Sequence, residues 1–198
     1  MGKYLKFLVV AAITSASLII LGCEENANEQ VNKPIASAET QKSDYVASSK
    51  ITKSQEKFPA FAATDVNGNA VTDSIFKSKK ITVVNIWGTF CPPCIGEMPE
   101  LGEWADNMSE EAQLIGIVCD VDGASDNYTI ETAKEILKKS NAKFLNIVPD
   151  ESIMSYLENV EAVPTTIFVD SDGYILTKKV IGADVDEYKS VVGAYLNE

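Results

Sequence analysis

Cys91 and Cys94 stand two residues apart in the stretch NIWGTFCPPC. Thiols at that spacing can ligate a metal, close a structural staple, or cycle between dithiol and disulfide. A zinc site takes about four ligands, commonly a second cysteine pair or histidines. The chain has no histidine, and besides Cys23 its one further cysteine is Cys119. A staple across so short a spacer closes a very small loop, where loop-closure stabilisation is least. The redox alternative has a mechanism. At the start of a helix, unpaired amides and the helix dipole favour a Cys91 thiolate. Cys94, one turn on and more buried, would then resolve the mixed disulfide.

Such a pair needs a strand to deliver it and a helix to receive it. ITVVNIW, just before it, is a β-branched apolar run suited to a strand buried on both faces. After Cys94 the positions Leu101, Trp104, Ala105 and Met108 repeat at helical spacing, with Pro99 placed to kink the helix. QLIGIVCDV reads as a second buried strand, IETAKEILKKSNA as an amphipathic helix, FLNIV as a strand and ESIMSYLENV as a short helix. TTIFVD and YILTKKVIG are strands joined by an SDG turn, and DVDEYKSVVGAYLNE closes the chain as a helix. Upstream, FPAFAATDVNGNAVT reads as a β-hairpin turning at Asn67-Gly68. The fold class is α/β: a central mixed sheet flanked by helices, with an added N-terminal hairpin. Cys119, at the end of a buried strand, reads as a small core residue; a third redox thiol is the sharper alternative.

The stretches VVNIWGTFCPPCIGEMPEL, VPTTIFVDSDGYI and FPAFAATDVNGNAV together resemble the thioredoxin fold, and within it the TlpA/ResA-like extracytoplasmic thiol-disulfide oxidoreductases. The resemblance covers about Phe58 to Leu196. It implies that Cys91 attacks and Cys94 resolves, with no cofactor beyond the Cys91–Cys94 disulfide. It implies that Pro164 is a cis proline and that Val163 offers backbone contacts to substrate. Trp87, Phe90, Pro92 and Pro93 complete the implied substrate-contact surface, with Trp87 packing beside the pair. Glu97 matches a carboxylate near the active site that tunes the thiols or relays a proton; otherwise it is a surface glutamate in a helix's first turn. Asn85 replaces the buried aspartate of cytoplasmic thioredoxins and accepts no proton. Pro92-Pro93 removes two amide donors and stiffens the loop. A peroxidase reading wants Ser or Thr where Gly88 stands, plus an arginine, and the chain has none. Copper-delivery modules use a histidine that is likewise missing.

The N-terminus suggests where this chemistry takes place. Lys3 and Lys6 precede an apolar run from Phe7 to Leu21, a signal-peptide layout rather short for an uncleaved membrane anchor. IILGC resembles the lipobox of bacterial lipoproteins, which implies cleavage after Gly22 and lipidation of Cys23. Residues 1–22 are thus expected to be a lipoprotein signal peptide, 23–57 a lipidated flexible tether, and 58–198 the thioredoxin-like domain. About 34 residues of polar coil span roughly 30 Å. The expected location is extracytoplasmic and anchored to the membrane. The resemblance implies a reductase fed by a membrane thiol carrier of the CcdA/DsbD type. It would act on disulfides of exported proteins, such as apocytochrome c or a methionine sulfoxide reductase; a disulfide-forming oxidase is the alternative. The net charge of −12 disfavours nucleic acid, and a monomer is expected.

Overall fold

The computed structural model describes residues 51–197. The expected signal peptide, Cys23 and the tether up to residue 50 lie outside the described residues. Among the described residues, no helix is long and apolar enough to cross a membrane.

In chain order the strands are β1 (Lys53–Lys57), β2 (Ala62–Asp65), β3 (Ala70–Thr72), β4 (Ile81–Trp87), β5 (Ala112–Val118), β6 (Leu145–Val148), β7 (Thr165–Asp170) and β8 (Tyr174–Ile181). The helices are α1 (Pro92–Asp106), α2 (Asn127–Lys139), α3 (Glu151–Leu157) and α4 (Val185–Leu196), with a 3-10 turn at Asp73–Ser78. The strands form one sheet in the order β1-β8-β7-β4-β5-β6-β2-β3. The β4–β5 and β5–β6 pairs are parallel and the others antiparallel, so the sheet is mixed. The β2–β3 hairpin is present as expected, and β2 adds antiparallel to β6.

Strand periodicity distributes the core. Every residue of β4 is buried. Ile81, Val83 and Trp87 face a cluster with α1, α2 and α4, while Val84 and Ile86 face a second cluster on the opposite side. The second cluster holds Ile153 of α3 and three phenylalanines. Phe58, Phe61 and Phe76 meet edge to face, with ring centroids 5.6 to 6.1 Å apart, the arrangement that the ring quadrupoles favour. Helix α1 runs through Pro99 as a single element, and Met108 falls beyond its end.

The start of the fold corrects the expected boundary at Phe58. Residues Lys53–Lys57, assigned to the tether, form β1 and pair antiparallel with β8. KSQEK has no apolar alternation because its side chains stay in solvent and the backbone does the pairing. Lys53 adds ion pairs to buried Asp170 at 2.7 Å and to Asp172 at 2.8 Å. Its ammonium and that of Lys57 also lie over the Tyr174 ring.

Candidate active site

The parallel strand β4 ends at Trp87, and a three-residue loop carries the chain into α1. Cys91 is the N-cap of that helix, with Pro92 and Pro93 as its first helical residues. Proline is suited there because first-turn amides have no intrahelical acceptor. One amide stays available: Cys94 N–H points at Cys91 Sγ from 3.3 Å. Cys91 and Cys94 form a disulfide with Cα atoms 5.3 Å apart. Cys91 is 4% exposed and Cys94 0%, so the attacking position is the more accessible by a narrow margin.

The loop is held from below. Asp120, just after β5, accepts from Thr89 N–H at 3.0 Å and from the Thr89 hydroxyl at 2.6 Å. Cys119 N–H donates to Trp87 O at 2.8 Å. Phe90 is 67% exposed, and its ring lies so close over Gly88 that a Cβ there would sit 2.7 Å from Cε1. Pro92 and Pro93 are also exposed. Opposite them, the Val163–Pro164 peptide is cis. Val163 O lies 3.5 Å from Cys91 Sγ, so the two chain segments converge on one sulfur.

One placement corrects a residue-level expectation, and another removes an alternative. Trp87 does not offer a substrate contact. Its indole is fully buried and donates to Asn146 Oδ1 at 2.8 Å; it packs in the cluster that holds both cysteines. Glu97 is not the surface glutamate of the alternative reading. It is 6% exposed and faces the sheet. Glu97 Oε1 accepts from Asn85 Nδ2 at 2.9 Å, and Glu97 Oε2 lies 3.0 Å from Tyr188 Oη. Desolvation is the main influence on Glu97 and pushes its carboxyl above the ordinary value, against the opposing effect of these bonds. Asn85 also donates to Thr166 Oγ1 at 3.1 Å. Its buried Oδ1 has no donor among the described residues. Cys119, half-buried, has its thiol pushed up to about 11 by burial and then by Asp120, which makes it a poor nucleophile at neutral pH.

A polar row lies beneath α1. The strand register places Asn146, Gly116, Asn85 and Thr166 side by side across β6, β5, β4 and β7. Gly116 leaves the gap through which Trp87 reaches Asn146. Asn146 had a sequence signal, a polar residue inside a buried strand. Tyr188 had none, since it sits in the apolar stripe of α4 with Val185, Val191 and Val192 and reads as core.

The Redoxin family profile matches residues 53–194, nearly all of the described fold. The chain belongs to the Redoxin family. Within it, the chain is a ResA-like thiol-disulfide oxidoreductase. It is 30% identical over 129 residues to the thiol-disulfide oxidoreductase ResA of Bacillus cereus, covering 65% of this chain and 70% of that one. It is also 30% identical over 127 residues to the thiol:disulfide interchange protein DsbE of Pseudomonas aeruginosa, covering 63% and 64%. Two solved structures share the fold. A secreted disulfide oxidoreductase of Mycobacterium tuberculosis aligns with a TM-score of 0.54 at 23% identity, over 68% of this chain and 95% of that one. A thiol:disulfide interchange protein from Chlorobium tepidum, described as a DsbE, aligns at 0.57 and 20% identity, over 74% and 97%. This Redoxin member is thus a thioredoxin-like domain with a disulfide at the strand-to-helix junction.

Proposed function

We propose that this protein is a membrane-anchored, extracytoplasmic disulfide reductase. The observation that carries the chemistry is the Cys91–Cys94 disulfide at a helix N-terminus, with Cys91 Sγ facing Val163 O beside cis Pro164. In the reduced protein the Cys91 thiolate attacks a substrate disulfide. One substrate sulfur leaves as a thiolate and takes a proton, and a mixed disulfide forms. Cys94, after losing its proton, attacks Cys91 Sγ. The second substrate thiolate departs, and Cys91–Cys94 closes. The substrate has gained two electrons and two protons, which a membrane dithiol carrier of the CcdA/DsbD type returns to this protein.

Glu97 is the group we assign to proton handling near Cys94, one helical turn away. Phe90, Pro92, Pro93 and the Val163–Pro164 edge form the surface offered to substrate. Exported proteins with exposed disulfides, among them apocytochrome c and methionine sulfoxide reductases, are the proposed partners. Lipidation at Cys23 would keep the domain within reach of the membrane carrier.

The test is disulfide reduction by variants of the full chain. Cys91→Ser should abolish turnover, and Cys94→Ser should accumulate mixed disulfides with its substrates. A reduction potential below about −200 mV supports the reductase direction, while one near the strongly oxidising end supports an oxidase. Full turnover by Cys91→Ser would overturn the assignment. Cys23→Ala should release the protein from the membrane fraction.

A further inference from the structure

Tyr188 is buried in the first turn of α4 and lies between two acceptors. Its Oη is 3.0 Å from Glu97 Oε2 and 2.8 Å from the carbonyl oxygen of Gly182, and it accepts from Asp184 N–H at 3.3 Å, which leaves one lone pair for a further donor. A phenol carries one hydrogen, so it cannot donate fully to both. Both contacts are satisfied when Glu97 holds a proton: the acid donates to Tyr188 Oη, and Tyr188 donates to Gly182 O. When Glu97 ionises, its proton passes to solvent buffer. The phenol must then donate to the carboxylate, and Gly182 O loses that donor.

Gly182 links this choice to the substrate edge. Its φ of 94° is a conformation that residues with side chains rarely adopt. Its N–H donates to Pro164 O at 2.8 Å, in the residue that follows Val163 at Cys91 Sγ. An unbroken path runs from Glu97 through Tyr188 and Gly182 to Pro164.

We propose that Tyr188 is a positioning residue that couples the protonation of Glu97 to the backbone of the Pro164 substrate edge. This rests on reading Glu97 as the acid that serves the Cys91–Cys94 pair. The groups facing Glu97 fit the assignment. Asn85 on β4 and Thr166 on β7 are neutral, and Cys94 lies one turn before Glu97 on α1. Glu100, one turn after, is engaged by Lys189 of α4 at 2.6 Å. Asp184, beside Gly182, caps α4 through Glu187 N–H at 3.0 Å. No lysine among these partners reaches Glu97, so the phenol and the Asn85 amide are its donors.

The experiment is an NMR pH titration of the oxidised full chain, following the Glu97 carboxyl carbon and the Gly182 amide. In the unmodified protein both signals should move together through one transition. Tyr188→Phe removes a donor from the ionised carboxylate but only an acceptor from the neutral acid. Bonds to charge are the stronger, so ionisation of Glu97 should become roughly fivefold harder and its transition move to higher pH. The Gly182 response should be lost. Glu97→Gln, whose amide donates to Tyr188 as the neutral acid does, should hold the Gly182 signal at its low-pH position throughout. An unchanged Glu97 transition in Tyr188→Phe, or a Gly182 response that persists there, would overturn the proposal. If Tyr188→Phe does not fold, a Gly182 amide that still titrates in Glu97→Gln does the same. These readouts need no turnover, so they stand apart from the reductase assignment.

Discussion

Replacing Gly116 by alanine tests whether the polar row beneath α1 supports the site. A Cβ at this position would sit 2.0 Å from Asn146 Oδ1, 2.8 Å from its Cγ and 3.0 Å from Trp87 Nε1. Asn146 cannot simply turn away, because its Nδ2 donates to Phe144 O at 2.9 Å. The 2.8 Å bond from the Trp87 indole must therefore break in a region where Trp87 is 0% and Asn146 1% exposed. Leaving buried polar groups unpaired costs about 1–3 kcal/mol, and displacing packed neighbours adds about 1–3 kcal/mol. Alanine offsets about 0.5–1 kcal/mol by restricting the unfolded chain. The net loss is about 1–5.5 kcal/mol, and at about 2–4 °C per kcal/mol Tm falls by about 2–22 °C. Urea and thermal unfolding of the oxidised protein measure it. Asn146→Ala removes the obstructing carboxamide, so in that background Gly116→Ala should cost less than about 1 kcal/mol. Equal costs in the two backgrounds would refute the reasoning, since the clash would then lie elsewhere.

Three further outcomes follow from the same geometry. Burial raises the Glu97 carboxyl in the folded protein, so its stability contribution is present below the unfolded carboxyl pKa and is lost as pH rises through the raised native value. Glu97→Gln should gain on the unmodified protein by about 1.4 kcal/mol per unit of that raise; a stability difference that stays flat between acidic and neutral pH would contradict this. Asp120→Ala strips the Thr89 amide and hydroxyl of their shared acceptor and should lower stability by about 1–3 kcal/mol. Asp120→Asn should recover part of it in urea unfolding, because an amide oxygen still accepts. Cys119, with its thiol raised from 9.0 to about 11, should react with iodoacetamide at neutral pH roughly a hundredfold more slowly than an unperturbed thiol. Equal labelling of native and urea-unfolded protein would argue against this.

The sequence by itself determined most of the elements and the chemistry of the thiol pair. ITVVNIW, followed at once by CPPC, specifies a buried strand delivering two thiols to a helix start, and the missing histidines leave a metal few ligands. The hairpin at Asn67-Gly68 and the closing TTIFVD–YILTKKVIG pair were legible from turn residues and alternation. Sequence patterning did not reveal β1, because KSQEK contributes backbone pairing and ion pairs rather than apolar burial. The tertiary structure alone decided what each polar side chain near the pair does. Whether Glu97 faces water or the sheet depends on the rotation of α1 against β4, which its place in a helix's first turn leaves open. The resemblance places Trp87 in the substrate-contact surface, but Gly116, on the neighbouring strand, lets its indole turn inward to Asn146. Tyr188 lies 91 residues from Glu97 in the chain, and its apolar neighbours on α4 mark it as packing. Its hydroxyl acquires a role because the sheet register and the helix docking bring Glu97 and Gly182 within reach of one phenolic proton.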